Sequence, residues 1–131
     1  MNEEQHLPNF LMNFEGKTKG YIYLNYEYSE PWGTVFVVCI ENAIFMALLD
    51  STDADLILDI LASPVKGSSK RFNSESDRLY FFDKSDRIGL VVVEMLYRDK
   101  LNKTGIRGVK VHSIDLNNSM VDQLMEALLL V

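Results

Sequence analysis

The stretch TVFVVCIENAIFMALLD, residues 34–50, decides the architecture of this chain. Thr34 to Glu41 is apolar at successive positions, the pattern of a strand covered on both faces. Glu41-Asn42 suits a two-residue hairpin turn, because asparagine tolerates a positive φ. Ala43 to Leu49 then returns as the next strand. The competing reading draws a helix through ENAIFMALLD and removes the hairpin.

Just downstream, Asp50-Ser51-Thr52 supplies helix-capping side chains, and Asp53 and Asp55 suit the positive end of a helix dipole. That helix runs through DADLILDILAS and stops before Pro64. Leu56, Ile57, Leu58, Ile60 and Leu61 give it an apolar stripe wide enough for a largely buried helix. Upstream, GYIYLNYEYSEPWG (20–33) holds four of the six tyrosines and the single tryptophan. Tyr21 to Tyr28 reads as a strand that Ser29-Glu30-Pro31 ends. Ile22, Leu24, Tyr26 and Tyr28 share one face of it, the expected core face; Tyr21, Tyr23, Asn25 and Glu27 share the other. NFLMNF (9–14) is either a short strand or one helical turn, EGKTKG (15–20) is a turn, and residues 1–8 are expected to fray.

The second half follows the same order. VKGSSKRFNSESD (65–77) reads as a flexible connection. RLYFFD (78–83) and RIGLVVVEMLYRD (87–99) read as strands around the turn KSD, KLNKTGIRG (100–108) as a basic loop, and VKVHSID (109–115) as a further strand. Asn117 or Asn118 caps a last helix, SMVDQLMEALLLV, with Met120, Val121, Leu124 and Leu128 on one face. Both halves thus read strand, strand, strand, helix. The joints LLDSTDADLILDIL and HSIDLNNSMVDQLM share an apolar residue, an aspartate, capping residues and a helix, as in an internal repeat. The expected fold class is α+β: a mainly antiparallel sheet of about five to seven strands with two helices, one after residue 51 and one at the C-terminus, in a single domain over 1–131.

Charge is unevenly spread. Residues 1–65 hold ten acids and two bases, and residues 66–131 nine acids and eleven bases, for a net charge of −6. Between Gly20 and Pro64 there is no Lys or Arg. That balance argues against direct nucleic-acid binding, which needs clustered bases, and a one-signed block of this kind steers a basic partner. With one cysteine, Cys39, in an apolar run, no intrachain disulfide forms, and the residue is expected to behave as a small buried hydrophobe. The acidic start lacks an apolar signal core and no run is long enough to span a bilayer, so a cytoplasmic, membrane-free protein is expected.

No residue pattern specifies a catalyst, and no cofactor or metal is expected. His112, Ser113 and Asp115 cannot form a relay within one strand, because neighbours point to opposite faces. The aspartates at 50, 53, 55 and 59 lack the glycine and the closing glutamate of a calcium loop. KTGIRG, with Lys100, Lys103, Arg107 and Lys110, matches no phosphate-binding fingerprint, yet it is an anion-site candidate. Glu94, set in GLVVVEMLYR, faces solvent at an edge, is hydrogen-bonded in the core, or lines a pocket. The aromatic, acidic first half remains. Tyr21, Tyr23, Glu27, Glu30, Trp32, Asp53, Asp55 and Asp59 have the composition of an interaction surface. The expected function is a small, acidic, non-enzymatic protein-binding domain that docks a basic protein. Its most concrete form is an immunity or antitoxin-type protein neutralising a nucleic-acid-cleaving toxin. An acidic effector chaperone or a homodimeric scaffold is the alternative, and a small-ligand binder or enzyme built on Glu94, His112 and KTGIRG ranks below both.

Overall fold

The computed structural model describes residues 8–26, 33–62, 69–73, 77–84 and 87–131. It is α+β, with two antiparallel sheets and two helices. Strands β1 (Phe10–Asn13), β2 (Gly20–Asn25), β3 (Thr34–Ile40) and β4 (Ala43–Leu49) form the first sheet in the order of the chain. Helix α1 (Ser51–Ala62) follows. Strands β5 (Ser69–Asn73), β6 (Asp77–Lys84), β7 (Arg87–Asp99) and β8 (Thr104–Leu116) form the second sheet, also in chain order, and helix α2 (Asn118–Leu128) closes the chain.

Residues 34–50 form the hairpin. β3 and β4 pair from Thr34↔Leu49 to Ile40↔Ala43. The left-handed residue of the turn is Glu41, at φ 58°, where asparagine was expected to take that role. Its N–H donates to Lys19 O at 2.8 Å, so a bond to the neighbouring β1–β2 turn holds the strained residue in place. NFLMNF takes its strand form in β1. Asp50 caps α1: its Oδ1 accepts from Asp53 N at 2.8 Å and its carbonyl accepts from Ala54 N at 3.0 Å. Asn117 caps α2 by accepting from Met120 N at 2.9 Å, while its Nδ2 donates to Glu15 Oε2 at 2.6 Å. The second cap therefore also fastens α2 to the turn after β1.

Two expectations for the second half change. The stretch 65–77, read as a connection, contains β5, paired with β6 from Ser69↔Phe82 to Asn73↔Arg78. β5 is an edge strand, and a polar, charged composition protects an edge from unwanted pairing, so it carries no hydrophobic alternation to read. The basic loop is shorter than expected, since β8 starts at Thr104. A register shift at Leu96/Tyr97 absorbs the irregularity, and Tyr97 lies opposite Ile106. The strands lie in two four-stranded meanders in place of one sheet, close to the expected strand number, and each half has four strands before its helix where three were expected.

The helices cross between the halves. α1 leaves β4 and packs on β5 and β6; α2 leaves β8 and packs on β1; the helices touch each other. Burial explains this arrangement. Ile22, Leu24, Phe36, Val38, Ile40 and Phe45 of the first sheet and Leu79, Phe81, Leu90, Val92 and Leu116 of the second join one apolar cluster with Ile57, Leu61, Leu124 and Leu128 of the helices. Each sheet has one face that must leave water, and the two sheets and the helix pair cover those faces together.

Tyr26, at the end of β2, ties the first sheet to α2: its hydroxyl donates to Ala127 O at 2.7 Å, across 101 residues. Burial pushes the phenol above its ordinary value of 10.0. The neutral, donating form is the native one, so its contribution is complete below pH 10 and is lost as pH rises through the raised native value. We expect Tyr26→Phe to cost about 1 kcal/mol in urea unfolding at neutral pH. The gap between wild type and variant should narrow as pH rises above 10. A constant gap would show that the hydroxyl contributes nothing through this bond.

Candidate protein-docking face

Alternation along the first sheet sends one set of side chains into the core and the other set outward. The cross-strand registers align the outward set in rows: Leu11, Tyr23, Val37 and Met46; Asn13, Tyr21, Cys39 and Ile44; then Asn25, Val35 and Leu48. None of these residues is charged. Antiparallel sheets normally turn a polar face to water, and 24% of this chain is charged, so a charge-free outward face is out of keeping with a solvated one.

The face has a closed floor and an open surface. Val35 and Val37, on a central strand, are each 8% exposed. Around them Leu11 is 58%, Met46 56%, Ile44 51% and Leu48 49% exposed. Tyr21, Tyr23 and Cys39 are half-buried between these two groups. With strands ~4.8 Å apart and rows ~6.8 Å apart, the patch covers roughly 400 Å². That is the size of the largest apolar patch on a typical monomer, and such patches are often functional. Cys39 is accordingly not the buried core residue expected of it; it sits half-open on this face, and its Sγ donates to Glu41 O at 3.5 Å.

The structure places the residues singled out in the sequence in two separate groups. Tyr21 and Tyr23 lie on the outward face. Asp53, Asp55 and Asp59 lie on α1, which buries Ala54, Ile57 and Leu61 in the core, on the other side of the same sheet. Asp55 and Asp59 are exposed there, and Asp53 is half-buried in the first turn. These aspartates and tyrosines do not form one continuous surface. Glu27, Glu30 and Trp32 lie outside the described residues. The acids next to the apolar face are Glu41, in the β3–β4 turn, and Asp50, at the end of β4, both exposed; Lys19 shares the Glu41 end. Leu11, Val35, Val37, Ile44, Met46 and Leu48 complete the face without having been singled out as partner-binding.

Of the other candidates, Glu94 is on β7, an inner strand, and points to the core side of the second sheet. Its Oε1 lies 3.5 Å from His112 Nε2, at the outer limit of a hydrogen bond. His112 is 7% exposed, in contrast to the rim position expected for it, and its Nε2 has no hydrogen-bond partner. Ser113 is exposed on the opposite face of β8, so no relay forms. Among the described residues no group of His, Cys, Asp and Glu is arranged to hold a metal ion, and no helix is long and apolar enough to cross a membrane. The chain matches no protein-family model, and no curated protein is significantly similar to it.

Proposed function

We propose that this protein is a non-enzymatic binding domain that docks another protein on the outward face of its first sheet. The observation that carries this reading is the charge-free, half-open apolar surface spanning all four strands, with exposed carboxylates at both ends of the β3–β4 hairpin. An apolar centre inside a charged rim is the usual anatomy of an interface, and carboxylates at the rim set partner choice and association rate. The partner suited to it is a basic protein with an apolar patch of its own. A nucleic-acid-cleaving toxin meets the charge requirement, because the bases that hold phosphates are the groups a carboxylate would neutralise, and an antitoxin role is the concrete form of the proposal.

The test compares capture by wild type and by Met46→Asp, which places a charge among the exposed side chains of β4, in the middle row of the face, without touching the core. A partner docked here should bind Met46→Asp at least about 30-fold more weakly, the loss expected when a charge is buried without a partner in an interface. Glu41→Lys, a charge reversal at the exposed β3–β4 turn, should slow association, and the slowing should diminish at high salt. Equal affinity for wild type and Met46→Asp would remove this face as the dock. A captured partner without nuclease activity, or one whose activity survives a stoichiometric amount of this protein, would end the antitoxin form. Sedimentation completes the test: a wild-type dimer that Met46→Asp turns into a monomer would assign the face to a second copy of the chain.

A further inference from the structure

The far end of the second sheet has the opposite electrostatic character. A groove of about 630 Å³ opens beside the β7–β8 turn, and Lys100, Lys103, Arg107 and Lys110 line it together with Glu94 and Tyr97. Four cations and one carboxylate thus share one concavity in a chain whose net charge is −6. The backbone explains how they meet. Lys103 and Gly105 are left-handed, at φ 53° and 71°, and turn the chain sharply between the two lysines of the turn and the two bases of β8. Asp99, the acid at the end of β7, is engaged locally: it accepts from Leu101 N at 3.1 Å, from Asn102 N at 3.2 Å and from Asn102 Nδ2 at 2.8 Å. Those bonds, Asn102's first, hold its carboxyl below the usual range.

We propose that this groove binds a short phosphate chain, either as free polyphosphate or as the phosphate moiety of a nucleotide. The volume lies within the range of small-molecule sites. Arginine offers a planar fork that grips two phosphate oxygens, and the lysines add point charges around it. The number of cations suits a ligand with several negative charges better than a single carboxylate. Tyr97, in the same wall, gives a nucleobase a ring to stack on. A long nucleic acid fits less well, because it needs a basic track that extends past one groove, and every charged residue from Thr34 to Ala62 is acidic. Glu94 is the one unfavourable charge in the lining. Nothing in this proposal depends on the apolar face of the first sheet.

The experiment is calorimetric titration of the full chain at low salt with inorganic tripolyphosphate, with ATP and with a single-stranded oligonucleotide. Saturable one-to-one binding of tripolyphosphate and ATP is expected. Arg107→Glu and Lys100→Glu, both at exposed positions, should each weaken it about ten-fold or more, and raising the salt should do the same. Glu94→Gln should tighten it about three-fold, a gain that damage to the fold would not produce. Tighter binding of ATP than of tripolyphosphate would identify the ligand as a nucleotide, and equal binding as the bare phosphate chain. Absence of saturation with both at millimolar concentration, affinities unchanged by Arg107→Glu and Lys100→Glu, or binding of the oligonucleotide only would each overturn the proposal.

Discussion

Gly20→Ala is expected to cost at least about 3 kcal/mol, enough to unfold much of the protein at room temperature. Gly20 opens β2 at φ 154°, a conformation that side chains rarely adopt. A Cβ built there falls 2.0 Å from Cys39 O and 3.0 Å from both Cys39 C and Phe14 Cδ2. The obstacle is backbone, which a rotamer change cannot move. Three features hold that backbone in place: Gly20 pairs with Ile40, its carbonyl accepts from Phe14 N at 3.0 Å, and the adjacent Lys19 carbonyl accepts from Glu41 N. Retreat of any one strand breaks bonds to the others. Gly16→Ala provides the contrast. Gly16 also has a positive φ, 96°, but its Cβ would meet nothing within 4 Å, so only the conformational term of about 1 kcal/mol applies. Urea midpoints for the two variants separate collision from conformational strain. Equal small losses would mean that β2 and β3 are not this close at their ends.

Leu124→Ala should cost about 3 kcal/mol and lower one transition for the whole chain. Leu124 is fully buried on α2, and α2 packs on β1, β8 and α1. Removal of a large buried side chain loses its transfer free energy and leaves a cavity in a dense interior. The cooperativity is the informative part. The inner faces of both sheets and both helices join one apolar cluster, with sheet-to-sheet as well as helix contacts across the halves, so neither half has a complete core of its own. Far-UV and near-UV signals should therefore melt together in wild type and variant. Two separate transitions, with only one shifted by Leu124→Ala, would show that the halves fold independently.

Residues 20–26 were legible because their alternation is clean. Ile22 and Leu24 are fully buried, while Tyr21, Tyr23 and Asn25 face outward. Both helices were legible from their caps, Asp50 and Asn117, which act locally. β4 was different. AIFMALL is apolar at every position, and a continuous apolar run reads as a strand covered on both sides. Only the fold shows that Ile44, Met46 and Leu48 stay open to water. The same blind spot covers Leu11, whose partner across the sheet, Tyr23, comes from a strand whose register is fixed by turns and packing. β5 escaped notice for the opposite reason: a polar edge strand has no periodic signal and takes its structure from β6.

Composition and local pattern settled the α+β class, the hairpin at 34–50 and the two capped helices that follow strands, because hydrophobic periodicity, capping and turn chemistry act within a few residues. Tertiary structure decided what those elements do together. It divided the strands between two sheets and crossed the helices from one half to the other. It also set Asp55 and Asp59 on the side of the first sheet away from Tyr21 and Tyr23, and gathered Lys100, Lys103, Arg107 and Lys110 around one groove. Those outcomes depend on which apolar faces find cover and on pairings between residues far apart in the chain, and no short window of sequence contains either.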